Sequence, residues 1–153
     1  MVRFKRRYIL FEVVPHDRRQ QEAEKINISE KEVVKAMRQA IHLVHGDFGL
    51  GSVLKSLFLK RFTPRTRLGI VTVQRGPHRL LGSSLAVICK IGQVDCSIKC
   101  LYMSGTVRGC LLYLASYHRC QIRNERKLAA ITEDIKELSV SLTNEKELIH
   151  EDG

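Results

Sequence analysis

Alternating apolar residues near the N-terminus predict the first element, a β-strand over residues 4–14. A period of two places Ile9, Phe11 and Val13 on one face and Tyr8, Leu10 and Val14 on the other. Apolar residues on both faces indicate a central strand of a sheet. Pro15 is expected to end this strand, and the hydrophilic segment 16–25 to form a loop.

A helix is predicted next, because Ser29 and Glu32 have the spacing of a capping box. Its apolar positions recur at helical spacing and comprise Val33, Val34, Met37, Ile41 and Val44. The segment 45–49, with sequence HGDFG, contains two glycines that permit positive φ angles, so we expect the helix to break there and the chain to turn sharply. Phe48 within this turn is expected to plug the core, the alternative being that it stacks on a base.

Further elements follow in alternating order. They are strands over residues 56–63 and 68–75, a helix from Pro77 that closes before Gly92, a strand over residues 95–103, and a helix from the N-cap Thr106 to about His118. The order βαββαβα predicts an α+β protein of the ferredoxin-like, RNA-recognition-like split βαβ class. Its sheet would have four antiparallel strands with helices on one face.

The C-terminal region is expected to differ from the compact body over residues 1–120. A narrow apolar stripe predicts an amphipathic helix within residues 121–142, formed by Leu128, Ile131, Ile135, Leu138 and Leu142. This helix would pack either on the chain's own sheet or on another protein. The polar residues 143–153 are predicted to be a disordered tail.

Charge is distributed unevenly and points to a polyanionic partner. Residues 1–127 contain 24 Lys and Arg against 9 Asp and Glu, whereas residues 128–153 contain 2 against 7. The segment between Asp47 and Asp95 contains eight Lys and Arg residues and no Asp or Glu. Several of these, Lys60, Arg61, Arg65, Arg67 and Arg75, are expected to cluster around the hairpin formed by the second and third strands. This pattern favours nucleic acid, the alternative being a basic surface that only aids solubility.

Other classes of protein find little support. The longest uncharged runs are too short to span a membrane, and the N-terminus does not have the pattern of a signal peptide. Five cysteines without a CxxC motif indicate reduced thiols. His42 and His45 have no HExxH motif to support a shared metal, and no set of nucleophile, base and orienting group can be assembled. We therefore expect no catalytic residue, no metal and no cofactor.

Four motifs in a fixed order resemble those of a known family. They are MVRFKRRYIL at residues 1–10, HGDFG at residues 45–49, Gly69–Val71 leading to Arg75, and SGTVRGC at residues 104–110. Together they span roughly residues 1–120. In these motifs the chain resembles the POP-type subunit of ribonuclease P and ribonuclease MRP that is numbered fifth in its series.

The resemblance implies a role as a non-catalytic subunit of a ribonucleoprotein that removes the 5′ leader of precursor tRNA and, in its MRP form, processes ribosomal RNA. It implies binding to the ribonuclease P/MRP RNA and to precursor tRNA. It also implies a protein partner of roughly thirty kilodaltons with a barrel-like fold, other subunits of the particle, and a nuclear and nucleolar location. The rival interpretations are an RNA-binding module of another ribonucleoprotein and, with less support, a small phosphate-ester hydrolase.

Three groups of residues are the candidates for RNA contact. They are Arg3, Lys5, Arg6 and Arg7 at the N-terminus, Lys60, Arg61, Arg65 and Arg67 in the hairpin, and Thr106 with Arg108 at a helix N-terminus. The alternatives are a solvated or nuclear-import segment, a solvated turn and an ordinary helix cap, respectively. Base stacking on Tyr8 and Tyr102 is considered less favourable, because we expect protein to cover that sheet face.

Overall fold

The computed structural model describes residues 4–17, 19, 21 and 26–150, with side chains of the last helix through residue 130 and at 132 and 133. The chain divides into two compact units, Met1–Leu112 and Tyr113–Gly153. The strands are β1 (Arg6–Pro15), β2 (Phe58–Thr63), β3 (Leu68–Gln74), β4 (Lys90–Ile91) and β5 (Val94–Ser104). The helices are α1 (Glu30–Leu54), α2 (His78–Leu85) and α3 (Val107–His150).

The strands form one antiparallel sheet in the order β2-β3-β1-β5-β4. Strand β1 lies at its centre, as its two apolar faces predict. Without the two-residue strand β4, the order is that of the split βαβ fold, so the ferredoxin-like class is confirmed. The β1–β5 ladder contains an irregularity between Leu10 and Phe11, and the β2–β3 ladder contains one between Leu59 and Arg61.

The main core lies between one sheet face and the helices α1 and α2. Ile9, Phe11 and Val13 of β1 are fully buried in it, as the period of two predicts. The rings of Phe11 and Phe62 stack with centroids 6.3 Å apart. On the opposite sheet face Leu10 is also fully buried, whereas Phe58 and Tyr102 remain partly exposed.

Helix α1 begins with the predicted capping box. The Ser29 hydroxyl accepts a hydrogen bond from the Glu32 amide at 3.3 Å, and the Glu32 carboxylate accepts one from the Ser29 amide at 2.8 Å. The predicted break is present at Gly46, which has φ 66° and ψ −163°. The helix nevertheless resumes beyond this kink and continues to Leu54, since one non-helical glycine interrupts the hydrogen-bond ladder without preventing its renewal.

The prediction that Phe48 plugs the core is wrong, because its side chain is 86% exposed. Val44, predicted on the apolar face, is also exposed at 41%. Phe48 lies beyond the kink at Gly46, where a positive φ angle changes the phase of the helical repeat, whereas Val44 lies in the last turn before it. The buried face that includes Met37 and Ile41 therefore does not continue in the same phase beyond the kink.

Two other helices differ from their predicted lengths. Helix α2 ends at Leu85, earlier than predicted, and is followed by the short strand β4. Helix α3 is a single element from Val107 to His150, where the sequence predicted one helix to about His118 and a second within residues 121–142. Residues 151–153 of the predicted tail lie outside the described residues. The continuity of α3 has a local cause, since no Gly or Pro occurs between Cys110 and His150. In the part of the chain that the structure describes, no helix is long and apolar enough to cross a bilayer.

Within the second unit, aromatic and polar side chains contact one another along the helix. The rings of Tyr113 and Tyr117 stack with centroids 6.3 Å apart. The amide of Gln121 donates a hydrogen bond of 2.8 Å to the Tyr117 hydroxyl. These contacts join residues four apart on one helix face and support the helix locally.

Candidate nucleic-acid interface

The N-terminal basic run is divided between the two faces of the sheet. The guanidinium of Arg6 lies 5.7 Å from the ring centroid of Phe58 on β2, in a cation–π arrangement. The guanidinium of Arg7 lies instead against the turn between β5 and α3, where a Cβ added to Gly105 would be 2.7 Å from its Nη1. The alternation of side chains along β1 explains the division. Lys5 is exposed, and Arg3 lies outside the described residues.

Arg7 belongs to a group of cationic residues at the end of β3. Arg75 follows this strand, and its amide donates a hydrogen bond of 2.8 Å to the carbonyl of Lys5. Arg79 is in the first turn of α2. The sequence predicted Arg75 at the hairpin, but it lies at the opposite end of β3 from Arg67, about 26 Å away at ~3.3 Å per residue. That prediction is corrected: Arg75 joins the N-terminal residues.

His78 lies among these arginines. Its Nδ1 accepts a hydrogen bond of 3.0 Å from the Gly76 amide, which fixes the neutral ring with its proton on Nε2. Partial burial lowers the pKa of His78, and the positive charges of Arg7, Arg79 and Arg75 lower it further. The ring is therefore held neutral by neighbours that are themselves cationic.

Sequence reasoning did not assign Arg75, His78 and Arg79 to an RNA site. The signal was the acid-free stretch, since Asp95 is the only carboxylate from residue 48 to residue 124. What the sequence lacked was the pairing of β1 with β3, which brings Arg7 opposite Val73 and close to the start of α2. We name Arg7, Arg75, His78 and Arg79 the β1–α2 cationic cluster.

The N-terminus of α3 carries the predicted cap. The Gly109 amide donates a hydrogen bond of 3.1 Å to the Thr106 hydroxyl, and the Thr106 amide donates one of 3.2 Å to the Ser104 hydroxyl. Thr106 thus has the cap role that was weighed as the alternative to RNA contact. Arg108 is exposed in the first turn of α3, so its guanidinium is accessible to an anion.

The hairpin residues have two different roles. Lys60, Arg61 and Arg65 are exposed, whereas Arg67 is half-buried. Arg67 has a positive φ angle of 60°, and its guanidinium donates a hydrogen bond to the carbonyl of Gln21. Its carbonyl also accepts a hydrogen bond of 2.8 Å from the Val13 amide. Arg67 therefore holds the turn against neighbouring segments, which is a structural task that its charge alone did not predict.

Another basic surface lies along α1 beside the edge strand β2. A groove of about 660 Å³ there is lined by nine residues, Glu30, Lys31, Val34, Lys35, Arg38, Gln39, Leu57, Phe58 and Leu59. Its three cations are spaced at i, i+4 and i+7, so they lie on one helix face. The sequence showed the helical spacing of these cations, but it did not show that this face of α1 lies beside β2.

The histidines near the kink of α1 bind separate partners. The Nε2 of His42 is 2.9 Å from the Asp47 carboxylate, and the Nε2 of His45 is 2.8 Å from the Ser83 hydroxyl of α2. Among the described residues, no group of three His, Cys, Asp or Glu side chains is placed to hold a metal ion. These two histidines therefore act in the structure by linking the kink to its surroundings.

The cysteines do not resemble activated nucleophiles. All five are free, and Cys96 and Cys110 are buried. Burial raises the pKa of each of these two thiols, which favours the unreactive protonated form. The thiol of Cys110 is also 3.6 Å from the carbonyl oxygen of Tyr8. Both residues are best described as parts of the folded body.

Comparisons with known proteins agree on one family. The sequence profile described as the Rpp14/Pop5 family matches residues 7–115. The ribonuclease P/MRP protein subunit POP5 of Schizosaccharomyces pombe is 33% identical over 137 residues, which cover 81% of this chain and 93% of that protein. The subunit of the same name from Danio rerio is 29% identical over 151 residues, which cover 92% of this chain and 86% of that protein.

A solved structure supports the fold although its sequence identity to this chain is low. A chain in the cryo-EM structure of yeast ribonuclease MRP matches with a TM-score of 0.51 at 12% identity, covering 81% of this chain and 96% of that one. The sheet order, the four motifs in register and the profile match over residues 7–115 lead to the same conclusion. The chain belongs to the Rpp14/Pop5 family.

Proposed function

We propose that this chain is a protein subunit of a ribonuclease P/MRP ribonucleoprotein and that it binds and stabilises the RNA of the particle. The observation that carries the proposal is the β1–α2 cationic cluster. It lies in a chain whose relatives are named as ribonuclease P/MRP subunits. Cations gathered on one surface attract RNA phosphates and reduce the repulsion between RNA segments that fold close together.

In this proposal the chain supplies no catalytic residue, and the RNA with its metal ions cleaves the substrate. The raised pKa of the Cys96 and Cys110 thiols supports this division of labour, as do the separate partners of His42 and His45. The substrates would be precursor tRNA and, in the MRP form, precursor ribosomal RNA. Other subunits, including a barrel-like protein of roughly thirty kilodaltons, would be partners, and the location would be the nucleus and nucleolus.

The exposed hairpin cations Lys60, Arg61 and Arg65, together with Arg6 and Arg108, would extend the RNA surface beyond the cluster. A-form RNA offers its backbone and its shape more readily than its base edges, because its major groove is too narrow for side chains. We therefore propose recognition of folded RNA through phosphates. Arg67 and Thr106 would contribute by shaping the backbone at the hairpin and at the α3 cap.

The test is to purify the tagged chain from its own cells at moderate salt, sequence the RNA that accompanies it, and assay precursor-tRNA 5′ cleavage. Treatment of a matched sample with micrococcal nuclease is the control. The proposal expects one structured RNA and cleavage that nuclease abolishes. Mixed RNA without cleavage would favour a general RNA-binding module, and cleavage that survives nuclease would place the chemistry in protein.

A further inference from the structure

We propose that the β1–α2 cationic cluster, formed by Arg7, Arg75, His78 and Arg79, is a single phosphodiester-binding site of the RNA and that binding is accompanied by protonation of His78. This inference rests on the proposed function, since it names the RNA-contacting site of the same subunit. It adds a defined set of residues and a dependence on pH, neither of which follows from family membership.

Like charges are assembled in this cluster. Arg7, Arg75 and Arg79 each lie close enough to His78 for their charges to act on its imidazole. The β1–β3 ladder also pairs Arg7 with Val73, two residues before Arg75, whose amide bonds the Lys5 carbonyl. Like charges at such separations repel, and the segments that build the cluster, residues 4–11 and 68–85, contain no carboxylate to compensate. A bound phosphate removes that repulsion, and guanidinium groups bind phosphate oxygens through paired N–H donors.

The backbone at residue 105 makes room for Arg7. Its Nη1 would lie only 2.7 Å from a Cβ at Gly105, so residue 105 must be glycine or the guanidinium must move. Gly105 immediately precedes the capped N-terminus of α3, which is the positive end of that helix. The fold therefore holds a cation beside another positive pole, an arrangement that favours an anion between them.

His78 is the imidazole among these three arginines. In the free protein its ring is neutral, because partial burial and then the surrounding arginines disfavour a second proton, and its Nδ1 accepts the Gly76 amide. The charged groups that face it are Arg7 from β1, Arg75 from the loop after β3 and Arg79 from α2. A phosphate in their midst reverses the local potential and raises the pKa of His78. The added proton occupies Nδ1, so the ring releases the Gly76 amide, which can then donate to the phosphate instead. RNA binding then takes up a proton, so affinity increases as the pH falls.

The test compares three variants with the wild-type full-length chain, using a transcribed ribonuclease P RNA in a filter-binding assay. R75Q/R79Q removes two exposed charges from the cluster. K90Q/K99Q removes two exposed charges from strands β4 and β5. In the sheet Lys90 lies opposite Asp95 and Lys99 lies opposite Glu12, which is about 16 Å along β1 from Arg7 at ~3.3 Å per residue. H78N retains an acceptor for the Gly76 amide and removes the titrating ring. Circular dichroism and a urea midpoint check that each variant folds.

The proposal expects R75Q/R79Q to weaken binding about 10-fold or more and to reduce the slope of log K against log salt by about 0.9, the value for one lost phosphate contact. K90Q/K99Q is expected to weaken binding less than about 3-fold, because its charges lie away from the site. Between pH 8 and pH 5.5 the wild type should gain up to about 10-fold more affinity than H78N, since a pKa shift of one unit corresponds to a tenfold change.

Equal losses of RNA affinity in R75Q/R79Q and K90Q/K99Q would contradict the proposed site, because the affinity would then depend on the total charge of the protein. An unchanged pH dependence in H78N would overturn the protonation step. If the wild-type chain itself fails to bind the RNA, the proposed function is wrong as well as the site. If the wild type binds the RNA and R75Q/R79Q binds it with the same affinity, the proposed site is wrong but the proposed function is not.

Discussion

The ring of Phe11 lies directly against Gly69 on the neighbouring strand β3. These two residues are paired in the β1–β3 ladder, and a Cβ placed on Gly69 would collide with the Cζ and Cε atoms of the ring. The ring also has an aromatic neighbour, since Phe11 stacks on Phe62 with centroids 6.3 Å apart. A fully buried aromatic ring between two neighbours cannot move aside without disturbing the core.

Replacing Gly69 with Ala should therefore destabilise the protein by about 1–3 kcal/mol, which is the usual cost of overpacking. The measurement is the free energy of unfolding in urea, followed by circular dichroism. G51A is the matched control, because Gly51 is helical and exposed, and a Cβ added to it would have no atom within 4 Å. That control should be neutral or stabilising by up to about 1 kcal/mol. Equal behaviour of the two variants would contradict the contact.

The exposure of Phe48 gives a second prediction. F48A should change the free energy of unfolding by no more than about 0.5 kcal/mol, as for other surface substitutions, because the side chain is 86% exposed. F62A should cost about 3–5 kcal/mol, because Phe62 is buried against Phe11. The same urea titration distinguishes them. A large loss for F48A would restore the interpretation of Phe48 as a core plug.

The sequence was sufficient to place the strands β1, β2, β3 and β5, because the information needed is local. The period of two in β1, the proline and glycine turns, and the capping box at Ser29 each depend on residues within a few positions of one another. The extent of helices was harder. The sequence contained the glycine of the α1 kink, but whether the ladder resumes after Gly46 depends on the tertiary contacts of the following turn.

The cationic cluster could be predicted only in part. Arg7 was visible as a basic N-terminal residue, whereas its proximity to His78 depends on long-range pairing of β1 with β3. The structural role of Arg67 was hidden for the same reason, since its guanidinium binds a carbonyl 46 residues away. Charge patterns identify the type of partner, but the sheet register decides which cations act together.

The capping box predicts a dependence of stability on pH. The pKa of Glu32 is lowered from 4.5, first by the hydrogen bond from the Ser29 amide, then by the Ser29 hydroxyl, with a smaller effect from Lys35. A carboxylate with a lowered pKa in the folded state stabilises the fold above its unfolded pKa. This contribution is present above pH 4.5 and is lost as the pH falls through the lower folded value.

E32Q should therefore flatten the decline of stability below pH 4.5. Urea midpoints measured from about pH 6 to about pH 3 provide the test, and the difference between the wild type and E32Q should shrink as the pH falls. E30Q is the control, since Glu30 lies in the same first turn but outside the capping box. A difference that stays constant over this range would show that the Glu32 carboxylate contributes nothing through its ionisation.

The hairpin provides the last prediction. Replacing Lys60, Arg61 and Arg65 together with Glu should weaken RNA binding by at least about 10-fold at about 0.15 M salt and lower the salt slope by as much as about 3, at ~0.9 for each phosphate contact. The fold should persist, because these side chains are exposed. Arg67 is left unchanged, since its hydrogen bond to Gln21 maintains the turn and its loss would confuse binding with stability.

The comparison variant reverses Lys31, Lys35 and Arg38 on α1, which changes the net charge by the same amount on another surface. Glu is a good helix former, so this change should also leave the helix intact. If only the hairpin variant shows a lower RNA affinity and a smaller salt slope, the RNA lies over β2 and β3. Equal losses would mean that the RNA responds to total charge, and a loss confined to the α1 variant would move the RNA surface to the groove beside β2.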